Sequence, residues 1–425
     1  MTTTGLGQPS PNSIRRAVPL PANWKTALKE WGPVRELWTR VRRRQVLGEY
    51  LARREYYVRR ADELGLVYDA AKVAQAVRMR LRARGATPAV RAVGEVHTFA
   101  CIPMFRWHRS LLPDLHELGP VTHFDYTALG YSVGELACAD RRALGRRREM
   151  LEQLRAAVVE THRVRPIDWI FCYSGGQDMS PSLMTQITEE LGIPTVNMSL
   201  DDKQGWAGRS AGDARTGAAD LTASFDLFLT SSRVACEWHM VEGGRPLYLP
   251  EGVDVKEYQP HAIPRDLPVS FVGAAYGFRA SVVADLRRSG IPIHLFGAGW
   301  PGARWADDAV EVFNRSQINL GMGGIEYAEW FTNVKGRDFE IPATGGGVYL
   351  TTFNADLAQH FEIGREILCY ASREELVDLA RHYLRHPEEA AEIAARGRAR
   401  CVREHRWFHR YSAALRVLGI LDDVR

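Results

Sequence analysis

Residues 269–296, VSFVGAAYGFRASVVADLRRSGIPIHLF, contain the alternation on which our prediction of the fold depends. The apolar run Val269–Gly273 reads as a strand that ends in a glycine turn, and 279–289 has the spacing of a helix. A second apolar run, 291–296, follows at once. A strand, a helix and another strand at this spacing predict a parallel sheet covered by helices.

The same alternation continues on both sides of this stretch. Further strands are predicted toward the C-terminus at 318–320, 348–351 and 367–370, and toward the N-terminus at 89–94, 121–125, 167–173, 194–198, 225–230 and 246–250. We therefore predict an α/β protein with two Rossmann-like domains that face a cleft. The predicted units are a basic helical extension at 1–88, a first Rossmann-like domain at 89–250, a Pro-rich linker at 251–268, a second Rossmann-like domain at 269–400 and a C-terminal helix at 401–425 that returns to the first domain.

The N-terminal extension is strongly basic. Residues 1–88 hold 18 Lys or Arg and 7 Asp or Glu, a surplus of 11 charges in a chain whose net charge is +4. Apolar residues recur at helical spacing from Trp24 to about Arg84. Such a segment could bind nucleic acid, associate with a membrane surface, or pack on the body with its basic side in water. We favour packing, because charged helix faces usually meet solvent.

Composition excludes several other classes of protein. No apolar run reaches the length of a membrane helix, and the polar, Pro-rich start lacks the apolar centre of a secretory signal, so we expect a cytoplasmic location. The six cysteines form no CxxC pair and no zinc pattern. No Asp-x-Asp is present, and the adjacent pairs 201–202 and 307–308 would diverge, so we expect no metal. We expect no bound cofactor, and any small molecule that the protein binds would be a substrate.

One motif suggests a dinucleotide enzyme but lacks the required context. The stretch Gly297-Ala-Gly299-Trp-Pro-Gly302 fits G-x-G-x-x-G after a strand. However, Pro301 stands where the phosphate-binding helix should begin, and no acidic ribose ligand lies about 20 residues further on. We interpret the motif as a tight turn.

Without a metal, the charge of a nucleoside diphosphate must be met by basic side chains and helix N-termini. Two stretches offer these groups. Arg279 stands at a predicted helix start after the turn at Gly273, and Lys335, Arg337 and Glu340 lie within one and a half helical turns of one another.

Several ordered motifs in the second half resemble the C-terminal domain of the CgeB-like (spore-maturation-protein) GT-B glycosyltransferases. They are FVG at 271–273, FGAGW at 296–300, KGRDFEIPATGG at 335–346, FEIGREI at 361–367, SREEL at 372–376 and YLRHPE at 383–388. The resemblance covers residues 225–410 well and 89–224 loosely, and it does not extend to 1–88.

The resemblance implies a nucleotide-sugar donor in the C-terminal half, an acceptor in the N-terminal half and retention of configuration. By position, Glu340 resembles the ribose-binding carboxylate, and Lys335 and Arg279 resemble residues that contact the diphosphate. Arg337, and the motif residues Gly273, Gly299 and Trp300, complete the expected donor site. The wider group often has a second Glu eight residues before the ribose-binding one, and this chain has Thr332 there.

The acceptor side offers fewer signals. His97 follows the first predicted strand, and Asp201 and Asp202 follow another, so each is a candidate to orient or deprotonate an acceptor hydroxyl. The stretch from Ser174 to Asp178 could line the cleft, but we interpret it as an ordinary turn.

Two other functions remain open at this point. A nucleotide-sugar epimerase can share the architecture but needs several carboxylates around the sugar. A non-catalytic adaptor with a basic arm would depend on residues 1–88 alone. The leading prediction is a glycosyltransferase that takes a nucleoside-diphosphate sugar as substrate and acts on a small-molecule, peptide or glycan acceptor, with no nucleic-acid partner and no transmembrane segment.

Overall fold

The structure is a computed structural model. It describes residues 32–104, 106–136, 140–175, 178–207, 217–301, 308–325 and 327–422. The first residues of the predicted helical pattern, Trp24, Ala27 and Trp31, lie outside these ranges.

The first domain is built on a sheet of six parallel strands. They are β1 (Thr98–Cys101), β2 (Val121–Phe124), β3 (Trp169–Tyr173), β4 (Thr195–Ser199), β5 (Leu227–Thr230) and β6 (Pro246–Tyr248). Their order is β2-β1-β3-β4-β5-β6, and every neighbouring pair is parallel. Strands β1, β4 and β5 are buried almost throughout, which is typical of a sheet covered on both faces.

Helices cover both faces of this first sheet. Their bounds are α1 (Gly32–Glu63), α2 (Ala70–Ala83), α3 (Leu112–Leu118), α4 (Val133–Leu136), α5 (Arg141–Val164), α6 (Pro181–Leu191), α7 (Asp202–Gly205), α8 (Ala218–Leu221) and α9 (Ala235–Val241), with short 3-10 turns at Arg106–Leu111 and Thr222–Ser224. The two faces carry separate apolar cores, one of them centred on Trp169 and Phe171 and the other on Phe99 and Phe228.

The second domain repeats this plan with five parallel strands. They are β7 (Leu267–Val272), β8 (Ile293–Phe296), β9 (Ser316–Leu320), β12 (Val348–Thr352) and β13 (Leu368–Tyr370), in the order β13-β12-β9-β7-β8. Between β9 and β12 a small antiparallel hairpin is formed by β10 (Gly324–Ile325) and β11 (Ala328–Thr332). The prediction of two Rossmann-like halves is confirmed by this pair of parallel sheets.

The second sheet is also covered by helices. They are α10 (Arg279–Arg288), α11 (Ala309–Arg315), α12 (Arg337–Thr344), α13 (Arg373–Arg385) and α14 (Pro387–Glu404), with a 3-10 turn at Leu357–Gln359. The sequence at 355–361 predicts a helix, but the structure has only this short 3-10 turn there. A further helix, α15 (Trp407–Leu418), follows these helices in the chain. Among the described residues, no helix is both long and apolar enough to span a bilayer.

The helical extension is part of the body of the first domain. Helix α2 begins at Asp69, whose side chain accepts a hydrogen bond from the backbone N–H of Lys72, and it buries Val73, Val77 and Leu81 in the first core. Helix α1 packs Tyr57 against Trp238 of α9, with ring centroids 5.5 Å apart. The extension therefore packs on the first domain through its apolar residues. This is the arrangement that we favoured from the sequence.

The chain returns to the first domain at its C-terminal end. Helix α15 follows a short parallel bridge between Val253 and Arg406, and it packs on α2 and α3. Tyr411 is fully buried there, and its hydroxyl donates to the Leu111 carbonyl at 2.9 Å. The two domains are therefore joined by two neighbouring crossings of the chain.

The predicted strand at 89–94 is wrong. This segment is irregular, and it is held by hydrogen bonds from the Arg91 N–H to the Ile420 carbonyl and from the Gly94 N–H to the Leu118 carbonyl. The first strand is β1, which begins at Thr98. Its four residues are flanked by polar or aromatic side chains, so it is too short to show a clear period in the sequence.

Candidate active site

A cavity of about 310 Å³ lies between the two domains. The first domain and the linker contribute Asp201, Glu251 and their neighbours, and the second domain contributes the loop that precedes α12. The lining residues are Ser110, Tyr173, Leu200, Asp201, Glu251, Gly252, Val253, Asp254, Tyr258, Lys335, Gly336, Arg337, Glu340 and Trp407. Four predicted site residues from both halves of the sequence, Asp201, Lys335, Arg337 and Glu340, therefore line one space.

Asp338 holds the loop before α12 in place. One carboxylate oxygen accepts the Lys335 backbone N–H at 2.8 Å, and the other accepts the hydroxyl of Tyr349 at 2.7 Å. Burial raises the pKa of Asp338 to about 6. Because Asp338 is fixed in this way, the loop presents Lys335 and the first turn of α12 to the cavity.

Lys335 has a free ammonium group in the cavity. Its side chain is partly buried, and its Nζ forms no ion pair and no hydrogen bond with any described residue. A cation that lines a cavity without a protein partner can neutralise an anionic ligand. Helix α12 begins two residues later, and the partial positive charge of its N-terminus adds to the charge of this ammonium group.

Arg337 and Glu340 form a pair at one wall of the cavity. Arg337 Nη1 donates to the Glu340 carboxylate, and Glu340 is only 9% exposed. A Cβ atom added to Gly336 would lie 3.3 Å from Oε1 of Glu340, so glycine leaves the room that this carboxylate occupies. The pair holds Glu340 at a fixed place, where one of its oxygens can accept hydrogen bonds from ligand hydroxyls.

The remaining predicted donor residues form a second group at the ends of β7 and β8, and they are not among the residues that line this cavity. Trp300 is buried, and its Nε1 donates to the Gly273 carbonyl at 2.7 Å. Gly299 has a φ of +83°, which favours glycine, and so the G-x-G stretch forms a tight turn as predicted. Trp300 therefore holds two turns together.

Arg279 begins α10 beside those turns. Its Nη1 donates to the Ala274 carbonyl at 3.1 Å, and the guanidinium lies 4.1 Å from the centroid of the Tyr276 ring. Its Nε is buried with no hydrogen-bond partner among the described residues, and burial lowers the pKa of the group. Arg279 has no carboxylate partner within the described chain.

The two adjacent aspartates after β4 have different environments. Asp201 is exposed and lines the cavity. Asp202 is fully buried and accepts hydrogen bonds from Ser199, Thr230 and His239, the last through Nε2 at 2.9 Å. Both oxygens of Asp202 are therefore occupied within the fold, and the prediction that it acts on a substrate is wrong.

His97 does not lie at the cleft. It precedes β1, at the end of the sheet opposite to the carboxyl ends of the strands, and is 4% exposed. Its Nδ1 contacts the Pro166 carbonyl at 2.9 Å and its Nε2 contacts the Thr122 hydroxyl at 3.0 Å. The prediction placed the first strand too early, which moved His97 to the wrong end of the sheet.

Sequence reasoning missed Glu251, at the start of the linker. Its side chain is 5% exposed, and Oε2 has no hydrogen-bond partner among the described residues. Burial holds the pKa of Glu251 well above its usual range, and Asp201 raises it further. In the sequence, the prolines of the linker are its most obvious feature. The signal for Glu251 is its position as an acidic residue directly after the last predicted strand of the first domain, 246–250.

Contacts between the domains hold the end of β11 and the loop before α12 against the first domain. Lys203 Nζ donates to the Thr332 carbonyl at 2.9 Å and lies 3.7 Å from Asp356. Asn333 is buried, donates to the Leu200 carbonyl at 3.2 Å and accepts from Ser232. Thr332, which stands where the wider group has a second glutamate, thus uses its carbonyl in this contact.

Comparisons with known proteins agree with this architecture. Residues 279–416 match the protein family described as Glycosyl transferase-like. Two crystal structures of Anabaena HepE, in complex with UDP and glucose and with UDP-glucose, are similar in fold, with TM-scores of 0.51 and 0.50 at 10% and 12% identity. The matches cover 75% and 77% of this chain and 99% and 100% of HepE. No curated protein is similar enough in sequence to count as a relative.

The family match contains α10, the loop at Lys335 and the Arg337–Glu340 pair, while the structural match extends over both sheets. Residues 279–416 are therefore similar to the Glycosyl transferase-like family, and the chain has the fold of the GT-B glycosyltransferases.

Proposed function

We propose that this protein transfers a hexosyl group from a nucleoside-diphosphate sugar to a hydroxyl of an acceptor, without a metal and with retention of configuration. The observation that supports this most directly is the convergence of Lys335, Arg337 and Glu340 with Asp201 at one cavity between the domains. Further support comes from HepE, whose structures contain UDP and UDP-glucose. The ordered motifs of the second half favour the CgeB-like branch of the group.

The proposed roles follow from the chemistry of each side chain. The Lys335 ammonium, the start of α12 and Arg279 neutralise the diphosphate as the bond to the sugar breaks. Glu340, oriented by Arg337, accepts hydrogen bonds from the ribose hydroxyls. Asp201 lies on the side of the first domain, where it orients the acceptor hydroxyl. With retention, the departing phosphate takes the acceptor proton, and no protein nucleophile is required.

A panel of nucleotides tests the proposal and identifies the base. The unfolding temperature is measured with UDP-glucose, GDP-glucose and dTDP-glucose. A ligand at 100 times its Kd stabilises the folded state by about 2.7 kcal/mol, so the accepted nucleotide should raise the unfolding temperature clearly. No stabilisation by any of the three would contradict the proposed function.

Activity should survive chelation. We expect the same transfer rate before and after dialysis against EDTA, because the described cavity offers cations in place of a metal. Adding Mn²⁺ afterwards should change nothing. A rate that vanished with EDTA and returned with Mn²⁺ would show that the metal-free mechanism is wrong.

Glu340→Gln should weaken nucleotide binding by about 1–3 kcal/mol, or roughly 5- to 150-fold in Kd, because the amide loses the charge that strengthens its hydrogen bonds. Isothermal titration with the accepted nucleotide measures the change. Glu362→Gln, on an exposed surface with a similar ion pair to Arg365, is the matched control and should bind as the unchanged protein does. Equal affinities for both variants would remove Glu340 from the site.

A further inference from the structure

A second cavity, of about 240 Å³, adjoins the first at the ends of β3 and β4. The two share Tyr173, Leu200 and Asp201 as lining residues. Its volume is several times the ~30 Å³ that a water molecule occupies in the liquid, which is enough for a single sugar ring. Because it lies in the first domain and opens toward the proposed donor site, this cavity is the place for an acceptor.

Two buried polar atoms at this cavity have no partner within the described residues. They are Oγ of Ser174 and Oδ1 of Asp178, whose side chains are only 6% and 5% exposed. The other oxygen of Asp178 accepts the Gly175 N–H at 3.2 Å, and the buried hydroxyl of Tyr126 lies beside the carboxylate. Buried polar groups are nearly always hydrogen-bonded, so these two atoms indicate a ligand that supplies the missing partners. The turn that we had interpreted as ordinary therefore lines a cavity.

The described lining of the cavity carries negative charge. Among the residues that the structure describes, it includes Asp178 and Asp201 but no lysine or arginine. Arg147 lies near Asp178 without lining the cavity, and its Nε donates to the Leu136 carbonyl at 2.7 Å. His108 also lines the cavity, and burial lowers its pKa, which keeps it neutral at pH 7. Glu251 lies in the adjoining cavity. A phosphorylated acceptor would meet carboxylates here, whereas a cation would be attracted.

We propose that the acceptor is a polyol that carries a protonated amine, such as an amino sugar or an aminocyclitol. Its ammonium group donates to Oδ1 of Asp178, one of its hydroxyls bonds to Ser174, and another is presented past Asp201 to the donor. This inference rests on the proposed function, because it assigns the substrate of the same site.

Four probes that share one hexose ring test the inference in the presence of saturating UDP, and two of them, glucosamine and glucose, are equal in size. The four probes are glucosamine, glucose, N-acetylglucosamine and glucose 6-phosphate, titrated at neutral pH into the unchanged protein, Asp178→Asn and Asp378→Asn. Asp378 lies exposed on α13 and serves as the matched control. We expect glucosamine to bind about tenfold or more tightly than the neutral sugars, and glucose 6-phosphate to bind weakest. Asp178→Asn should abolish the preference, and Asp378→Asn should retain it.

The outcomes separate this inference from the proposed function. If UDP binds but glucosamine has no advantage over glucose in the unchanged protein, whether both bind or neither does, the inference is wrong and the proposed function stands. A preference that persists in Asp178→Asn also overturns it. If Asp178→Asn fails to fold, the comparison of glucosamine with glucose, which is equal in size, still decides in the unchanged protein. Failure to bind UDP or any other nucleotide would overturn both proposals.

Discussion

Lys335→Ala should lower the rate of sugar transfer by about 100- to 1,000-fold, the usual cost of removing one group that meets charge in a transition state. The ammonium of Lys335 has no partner among the described residues, so its removal breaks no internal ion pair. The loss should therefore appear in kcat with little change in the unfolding temperature. Such a change is the largest that we expect from a single side chain at the site.

The matched control for this prediction is Lys72→Ala, which removes an exposed lysine on α2. Transfer is followed through release of the nucleoside diphosphate, with circular dichroism to check the fold. A Lys335→Ala protein that keeps its fold and works within a fewfold of the unchanged rate would remove this lysine from the proposed diphosphate site. A Lys72→Ala protein that lost as much activity would show that the effect is not local.

Arg84→Ala should destabilise the first domain by about 3–5 kcal/mol, because it leaves a buried carboxylate poorly paired. Arg84 lies in the turn after α2, and its side chain is 6% exposed. It donates through Nε and Nη2 to Asp226, which is fully buried, and to the carbonyls of Thr188 and Ile193. After the substitution, the Asp226 carboxylate keeps Arg80 and Thr195 as its partners among the described residues.

Urea denaturation measures this effect, with Arg82→Ala as the control. Arg82 is exposed in the last turn of α2, two residues before Arg84, so its loss should change stability by less than about 0.5 kcal/mol. The two variants remove the same charge from the same basic segment. Equal midpoints for both would contradict the conclusion that the helical extension is anchored in the fold.

The sequence predicted the elements with long apolar runs or clear periods. Strands β3 and β4 lie within two residues of their predicted positions, because parallel strands covered on both faces are continuous apolar runs. Strand β1 was missed because four residues show no period. The hairpin β10–β11 was missed for the same reason, since its first strand has only two residues.

The candidate site was predictable where neighbouring positions lie on one loop or helix. Lys335, Arg337 and Glu340 are close in sequence, so their joint position depended only on the start of α12. The two aspartates after β4 could not be separated, because adjacent residues leave a strand in different directions and only the fold decides which one meets His239. Asp178 and Glu251 could not be selected from the sequence, because what marks them is their burial, and burial depends on residues distant in the chain.

The return of α15 to the first domain determines the order in which this protein can mature on the ribosome. The core of the first domain includes Trp407, Tyr411 and Leu415, which are made after every strand of both sheets. At a synthesis rate of about 5–20 residues per second, roughly ten to thirty seconds pass between the addition of Tyr248 and the addition of these residues. The second domain has all its strands and α14 in the chain before then. In the described fold, the nascent first domain therefore keeps an open apolar groove until α15 packs into it.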